Sequence, residues 1–331
     1  MIKFALFGAG RIGALHAENI SDSDEADLYC VYDVNKESAS NIANKHNSKI
    51  ISSPDEALAN NEVDAVLIAS STDTHVDLII KSSKANKHIF CEKPIDLSID
   101  KVEKCREEIK DSKKIIQIGF NRRYDSSFAA TKQSLIKGEI GDLEKIIISS
   151  RDPAPPTADY IKVSGGIFRD MMIHDFDLSR FVLGDDPITE VFARGSVLFD
   201  ENCKNLNDFD TAMVLMKSKK GVLININNSR RSIYGYDQRL EIFGNKGMVL
   251  SDNQTATSVK KFFKDYTNSK DPILNFFIDR YGQAYKDELK DFITSISQGK
   301  SSKVDFEDGR QALILADAAN KSIETGKVVL I

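Results

Sequence analysis

Three stretches of this 331-residue chain carry side chains whose types and spacing could do chemistry. The first is Gly8-Ala9-Gly10-Arg11-Ile12-Gly13, a G-x-G-x-x-G. Its glycines allow a tight turn and a close approach of backbone to ligand. A helix opening there offers unpaired N–H groups to a pyrophosphate. The spacing therefore assigns Gly8, Gly10, Arg11, Ile12 and Gly13 to a dinucleotide. Asp33 follows twenty residues after Gly13, where a carboxylate accepts bonds from the adenosine ribose hydroxyls. Its charge repels a 2′-phosphate and favours NAD over NADP, a preference that nearby Lys36 softens. The competing reading is a glycine-rich turn in some other parallel-sheet protein.

The second stretch is Glu92-Lys93-Pro94. A lysine at the carboxyl end of a parallel strand lies near the nicotinamide end of a bound dinucleotide. An alcohol that loses hydride must also lose a proton, and a cation nearby orients the hydroxyl and stabilises an alkoxide-like transition state. Positive charge on the nicotinamide and partial burial both lower a lysine pKa. Read alone, Lys93 is also compatible with a surface lysine, and the Lys93–Pro94 bond is a candidate cis peptide.

The third stretch runs Ser164-Gly165-Gly166-Ile167-Phe168-Arg169-Asp170-Met171-Met172-Ile173-His174-Asp175-Phe176-Asp177. On one continuous helix, Asp170 and His174 at i and i+4 share a face, and Asp177 joins them at i+3. A histidine beside carboxylates is suited to proton transfer near neutral pH. The alternatives are an exposed helical ion pair or a satisfied core histidine. Metal binding is disfavoured, because no second His or Cys sits at ligand spacing.

The elements that must position these groups are legible in outline. Short apolar runs (Ile2–Phe7, Leu28–Tyr32, Ala65–Ala69, His88–Cys91, Ile115–Ile118) alternate with helical stretches (Arg11–Ile20, Lys36–His46, Thr74–Ala85, Ile99–Lys110). That alternation predicts right-handed crossovers and a doubly wound parallel sheet, an α/β Rossmann architecture. Ser53-Pro54-Asp55-Glu56 reads as a capped helix start. Ligands collect at the carboxyl ends of such strands, so Ser70, Thr72 and His75, which follow the strand ending at Ala69, are expected to line the cofactor cleft. His75 reads equally as a surface residue of a helix start.

Beyond residue 120 the pattern changes. Tyr124–Ile136 and Gly166–Leu183 read as helices and Glu144–Ser150 as a strand. Ile188–Leu198, Thr211–Met216, Gly221–Asn227, Arg239–Phe243 and Met248–Leu250 then read as strands joined by turns. They predict an open, mostly antiparallel sheet in an α+β domain. Tyr281–Ile296 and Asp308–Thr325 return to helix. Two domains are expected, 1–120 binding the dinucleotide and 121–331 binding substrate and forming oligomers. No flexible linker marks the boundary, so packed domains with a cleft are expected.

Composition excludes other classes. Hydrophobic residues make up 41% and charged residues 29%, an ordinary globular balance rather than a disordered or collagen-like one. Lys and Arg number 45 against 50 Asp and Glu, so there is no basic footprint for nucleic acid or anionic membrane. Lys217–Lys220 is too short to change that. The N-terminal apolar run is too short for a secretory signal, and no run approaches a membrane span. The four cysteines form no C-x-x-C and read as reduced thiols of a cytoplasmic protein.

Taken together, GAGRIG, Asp33, Glu92-Lys93-Pro94 and the Asp170-x-x-x-His174 stretch resemble the Gfo/Idh/MocA oxidoreductases over essentially the whole chain. Within that family, Gly119–Asp125, Ser150–Pro153, Gly165–Asp170 and Gly235–Asp237 look most like its inositol 2-dehydrogenases. The resemblance implies NAD-dependent oxidation of myo-inositol to the 2-keto inosose by a homotetramer that associates through the open sheet. It implies a catalytic trio of Lys93, Asp170 and His174. Lys93 would hold the reacting hydroxyl, His174 would take its proton, and Asp170 would position the substrate and tune His174. It also implies that Glu92 borders the cofactor, that Asn121 and Arg122 face substrate and nicotinamide, that Asp152 contacts substrate, and that Tyr236 closes the polyol pocket. Met171 departs from the pattern, since well-known inositol enzymes carry a hydroxyl side chain there. That leaves the polyol open.

The rivals are a dehydrogenase of another inositol isomer or a sugar, a non-catalytic NAD- or sugar-binding sensor, and a metal-dependent lyase. A sensor has no need of the trio. A lyase would make no NADH. An uncharged polyol calls for many donors and acceptors rather than a charge clamp, although Arg122, Arg151 and Arg169 keep an acid substrate open.

Overall fold

A computed structural model describes residues 1–331. The chain opens with β1 (Ile2–Phe7), α1 (Arg11–Ser21), β2 (Ala26–Tyr32), α2 (Lys36–Lys45), β3 (Lys49–Ile50), α3 (Pro54–Ala59) and β4 (Ala65–Ile68). A 3₁₀ turn, Thr72–Thr74, leads into α4 (His75–Lys84), followed by β5 (His88–Glu92), α5 (Ile99–Ile109) and β6 (Ile116–Gly119). A second 3₁₀ turn, Asn121–Tyr124, precedes α6 (Ser126–Ile136) and β7 (Leu143–Arg151). Next come α7 (Ala158–Ser164), α8 (Gly166–Asp170), α9 (Ile173–Leu183), β8 (Ile188–Ser196) and α10 (Glu201–Asn205). Strands β9 (Thr211–Ser218), β10 (Leu223–Ser229), β11 (Asp237–Gly244) and β12 (Gly247–Ser251) follow, with the short pair β13 (Lys260–Lys261) and β14 (Ser269–Lys270). The chain closes with α11 (Phe277–Gln298), α12 (Phe306–Thr325) and β15 (Val329–Leu330).

It folds as two units, Met1–Asn121 with Tyr285–Leu313, and Arg122–Ala284 with Ile314–Ile331. The first is a six-stranded sheet in the order β3-β2-β1-β4-β5-β6, every pair parallel. Its central strands are buried on both faces, which is why Phe4–Phe7 and Ala65–Ile68 are unbroken apolar runs with no exposed residue. Strand β3 has two exposed residues and left no apolar signature. The expected assignment of 121–331 wholly to the second domain is corrected, since 285–313 belongs to the first unit. Leu289, Phe292 and Ile293 join the core formed by Phe4, Leu6 and Phe90, and the Phe292 ring lies 6.0 Å from Phe4 and 5.7 Å from Phe90. Helix periodicity marks an apolar stripe but does not say which sheet the stripe covers.

The second unit is built on a seven-stranded sheet in the order β12-β11-β7-β10-β9-β8-β15. Only β7 and β10 run parallel; the other neighbours are antiparallel. Alternation is clean along β9, where Ala212, Val214 and Met216 are buried. Met213 and Leu215 on its other face are exposed, as are Ile147, Leu223, Phe243, Met248 and Leu250 on neighbouring strands. Helix α6 starts two residues later than expected because Asp125 caps it, accepting the N–H groups of Ser127 and Phe128. Ser53 precedes α3 as expected, but its side chain makes no capping bond.

The expected continuous helix 166–183 is broken. Helix α8 ends at Asp170 and α9 begins at Ile173. The N–H groups of Met171 and Met172 both donate to the Ile167 carbonyl, at 3.1 and 2.8 Å, and the Met172 carbonyl then accepts from Asp175 and Phe176. This shared acceptor resets the helix. Asp170 is therefore the last residue of α8 and His174 lies in the first turn of α9, on one helix with Asp177.

Candidate functional site

In the first unit the glycine turn leaves β1 and enters α1 with an open N-terminus. Gly10 makes no side-chain cap, and the first turn of α1 holds no acidic residue. The turn thus brings no carboxylate of its own, which suits an anion. Gly8 has φ +104°, and a Cβ on it would lie 2.4 Å from the Ala69 carbonyl. A Cβ on Gly13 would lie 2.0 Å from the Gly8 oxygen. A Cβ on Gly10 would meet nothing within 4 Å, so the space over it is open. Arg11 and Ile12 form the exposed and half-exposed start of α1. Asp33, beyond the end of β2, accepts the Ala9 N–H at 2.6 Å and the Asn35 N–H at 2.7 Å. Its carboxylate is thus fixed beside the glycine turn.

Ser70 and Thr72 follow β4 as expected, with Ser70 Oγ 2.6 Å from Thr74 Oγ1. His75 differs. It is buried, with Nδ1 2.8 Å from the Pro94 carbonyl and Nε2 3.0 Å from the Ser70 carbonyl. It ties the loops after β4 and β5 together rather than lining a cleft. Burial lowers its pKa despite those two carbonyls. Lys93 is half-exposed just beyond β5, and the Lys93–Pro94 bond is cis. Glu92 turns inward, with Oε1 2.7 Å from His16 Nε2 and Oε2 accepting the Lys93 N–H at 3.3 Å. Asn121 is buried at the end of this unit.

The second unit gathers the remaining predicted groups. Arg122 is buried and bonds Asp175, whose other oxygen accepts from Asn228 at 2.9 Å. Burial opposes the Arg122 charge, but Tyr281, Asp175, Tyr236 and Asp152 around it outweigh that and hold it cationic. Arg122 is thus anchored by a carboxylate, with an Nη1 N–H committed to Asp175. Arg123 pairs with Asp177 at 2.8 and 2.5 Å.

Asp170 accepts the Tyr160 hydroxyl at 2.7 Å and lies 3.7 Å from Arg230. Burial, followed by Asp170 itself, pushes the Tyr160 phenol up, so it remains the donor. Asp152 is half-buried. Burial lifts its carboxyl to about 6; Asp170 and Asp175 add to the rise while Arg230 and Arg122 oppose it. Tyr236 is buried edge-on against Tyr281, 6.0 Å between ring centres. His174 stands in the first turn of α9, half-buried.

Sequence reasoning missed four supports. Arg230 is 1% exposed and bridges Asp208, at 3.1 Å, and Asp170. Asp208 in turn accepts the Ile167 N–H at 2.8 Å, setting the glycine turn before α8. Tyr160 and His16 complete the set. Only His16 left a signal, as a lone histidine on the apolar face of α1.

Comparison with known proteins covers both units. The oxidoreductase family model with an NAD-binding Rossmann fold matches residues 2–120, and the GFO/IDH/MocA C-terminal domain matches 128–250. A myo-inositol 2-dehydrogenase of Thermotoga maritima is 44% identical over 99% of this chain and 98% of its own. A crystal structure of a myo-inositol dehydrogenase from Corynebacterium glutamicum superposes with a TM-score of 0.96 at 46% identity, covering 100% of this chain and 99% of that one. A myo-inositol dehydrogenase from Lactobacillus casei, solved in complex with NAD(H) and myo-inositol, superposes with a TM-score of 0.88 at 26% identity over 100% and 97% of the two chains.

Proposed function

The chain belongs to the Gfo/Idh/MocA oxidoreductase family, and from that premise we propose that it oxidises myo-inositol at its 2-hydroxyl to the 2-keto inosose, with NAD+ as acceptor. The observation that carries this reading is full-length identity of 44% to a myo-inositol 2-dehydrogenase, joined to a first unit whose glycine turn is shaped for the cofactor. The turn Gly8–Gly13 holds the pyrophosphate, and Asp33 holds the ribose and disfavours a 2′-phosphate. Bound NAD+ supplies the hydride acceptor.

The chain's own residues supply the rest. Lys93 donates to the reacting oxygen and stabilises negative charge on it as the proton leaves. A ring nitrogen of His174 takes that proton. Asp170, held by Tyr160 and Arg230, fixes a neighbouring substrate hydroxyl. Asp152 accepts from another, and Tyr236 closes the polyol pocket. The exposed apolar face bearing Ile147, Met213, Leu215, Leu223 and Phe243 supports association through the second sheet, as a tetramer. The four cysteines are all free and buried, as suits a reducing compartment, the cytoplasm. No helix is long and apolar enough to cross a membrane.

The test is NADH formation with myo-inositol, scyllo-inositol, D-chiro-inositol, glucose and xylose, with NADP+ in parallel. Preferential turnover of myo-inositol with NAD+ is expected. Turnover of only a sugar or another isomer would keep the mechanism and move the substrate, which is the open point that Met171 leaves.

A further inference from the structure

Beneath the strand end that carries Lys93 lies a buried histidine–carboxylate pair that the chemistry above does not use. His16 has no exposed surface. Its Nε2 lies 2.7 Å from Glu92 Oε1, and its Nδ1 is buried with no partner. A carboxylate facing Nε2 and nothing facing Nδ1 places the proton on Nε2, donating to Glu92. The ring is wedged edge-on between Phe90, 5.1 Å away, and Tyr285, 5.8 Å away, so it has one orientation. The second oxygen of Glu92 accepts the backbone N–H of Lys93 at 3.3 Å. A Cβ at position 119 would stand 2.9 Å from that oxygen, so Gly119 at the end of β6 leaves the room the carboxylate occupies.

Three elements thus meet on one carboxylate. Helix α1, whose first turn receives the pyrophosphate, contributes His16. Strand β6 contributes space. Strand β5 contributes Glu92 and, directly after it, Lys93.

We propose that His16 and Glu92 are positioning residues for Lys93, fixing its backbone from below and tying it to the helix that seats the cofactor. Glu92 then acts through Lys93 rather than as a cofactor ligand. The inference rests on the reading of Lys93 as the group that holds the reacting hydroxyl. A displacement of about 1 Å at such a group costs on the order of 100-fold in rate, whereas cofactor affinity, set by the glycine turn and Asp33, stays.

The experiment compares H16F, H16Q and E92Q with wild type for kcat, for KM of polyol and NAD+, and for NADH affinity read from the nucleotide's own fluorescence. H16F keeps an aromatic wedge between Phe90 and Tyr285 but has no donor for Glu92. H16Q returns an amide N–H near the Nε2 position. E92Q leaves one acceptor where two donors point, and serves should H16F fail to fold. The expected result is a kcat lower by about 10- to 100-fold in H16F and E92Q, NADH affinity within about threefold of wild type, and recovery of most of the kcat loss in H16Q. Wild-type kcat in both H16F and E92Q would overturn the proposal, because the pair would then only fill space. NADH affinity weakened more than about tenfold at unchanged kcat would also overturn it, because the pair would then serve the cofactor. The variant K93M separates the two levels. Full turnover by K93M refutes the role of Lys93 itself, while an inactive K93M beside fully active H16F and E92Q refutes only the positioning role.

Discussion

The three glycines of the first turn make different demands, and their alanine variants should separate fold from ligand. At Gly13 an added Cβ would sit 2.0 Å from the Gly8 oxygen, a backbone atom that cannot step aside alone. Overpacking of that kind costs about 1–3 kcal/mol or more. At Gly10 the backbone has φ −74°, open to any residue, and the Cβ would meet nothing within 4 Å. Gly is a better N-cap than Ala, so G10A should still cost up to about 1 kcal/mol. At roughly 2–4 °C per kcal/mol for chains of this size, G10A should melt within about 4 °C of wild type and G13A clearly lower. For cofactor binding the distinction reverses in meaning. The G10A methyl occupies the space left over the helix N-terminus, and we expect NADH affinity to fall at least about tenfold, or about 1.4 kcal/mol, in a protein of near-native stability. Melting curves and NADH fluorescence titration measure both; the chain has no tryptophan to interfere with the second. NADH affinity in G10A within about twofold of wild type would refute the reasoning, because the empty space over Gly10 would not be where the pyrophosphate lies.

Two further predictions concern the second unit. The Asp152 carboxyl, raised to about 6 from 3.8 chiefly by burial, holds a proton in the folded chain over a range where the unfolded chain has released it; stability is therefore full below about 4 and lost as pH rises through about 6. The gap of about two units corresponds to about 3 kcal/mol, or about 1–2 after discounting for partial exposure. D152N should thus unfold at higher urea than wild type near neutral pH and at the same urea near pH 4, and equal midpoints at both would contradict the assignment. Asp175, fully buried beside Arg122, should not tolerate loss of its charge. D175L is expected to lose about 3–5 kcal/mol by leaving Arg122 uncompensated, read from urea midpoints, and a native midpoint with an unchanged slope would show that the arginine is solvated after all.

The sequence was most informative where one residue type answers one physical demand. Unbroken apolar runs between amphipathic helices announce a parallel sheet, and G-x-G-x-x-G followed by Asp33 announces its ligand, because few other residues can make that turn or hold that ribose. It was least informative where the outcome depends on competition. The break at Met171–Met172 has no Pro or Gly to declare it; two amides simply share the Ile167 carbonyl, and an apolar helical pattern conceals the change of phase. The apolar stripe of α11 is visible, but its choice of partner rests on Phe4 and Phe90, nearly three hundred and two hundred residues away in sequence. His75 shows the same limit at a single side chain. Its position after β4 is that of a cleft residue, and only the two carbonyls facing it turn it inward.

The same competition decides which carboxylates of the second unit can meet a substrate. Asp175 is engaged by Arg122 and Asn228, Asp177 by Arg123, and Asp208 by Arg230 and the Ile167 amide. Buried pairs of this kind add little net stability, but each fixes an orientation, because breaking one leaves an uncompensated charge. Asp170 accepts the Tyr160 hydroxyl through one oxygen, and Arg230 stands 3.7 Å from the other. Asp152 has the least support, with a carboxyl pushed up by burial and by two neighbouring carboxylates. A polyol hydroxyl donates to such a group more favourably than to any of the paired ones, since it replaces a missing bond rather than competing with an existing one. A substrate lacking the hydroxyl that faces Asp152 would leave that deficit in place. The discrimination among inositol isomers is therefore expected to follow Asp152.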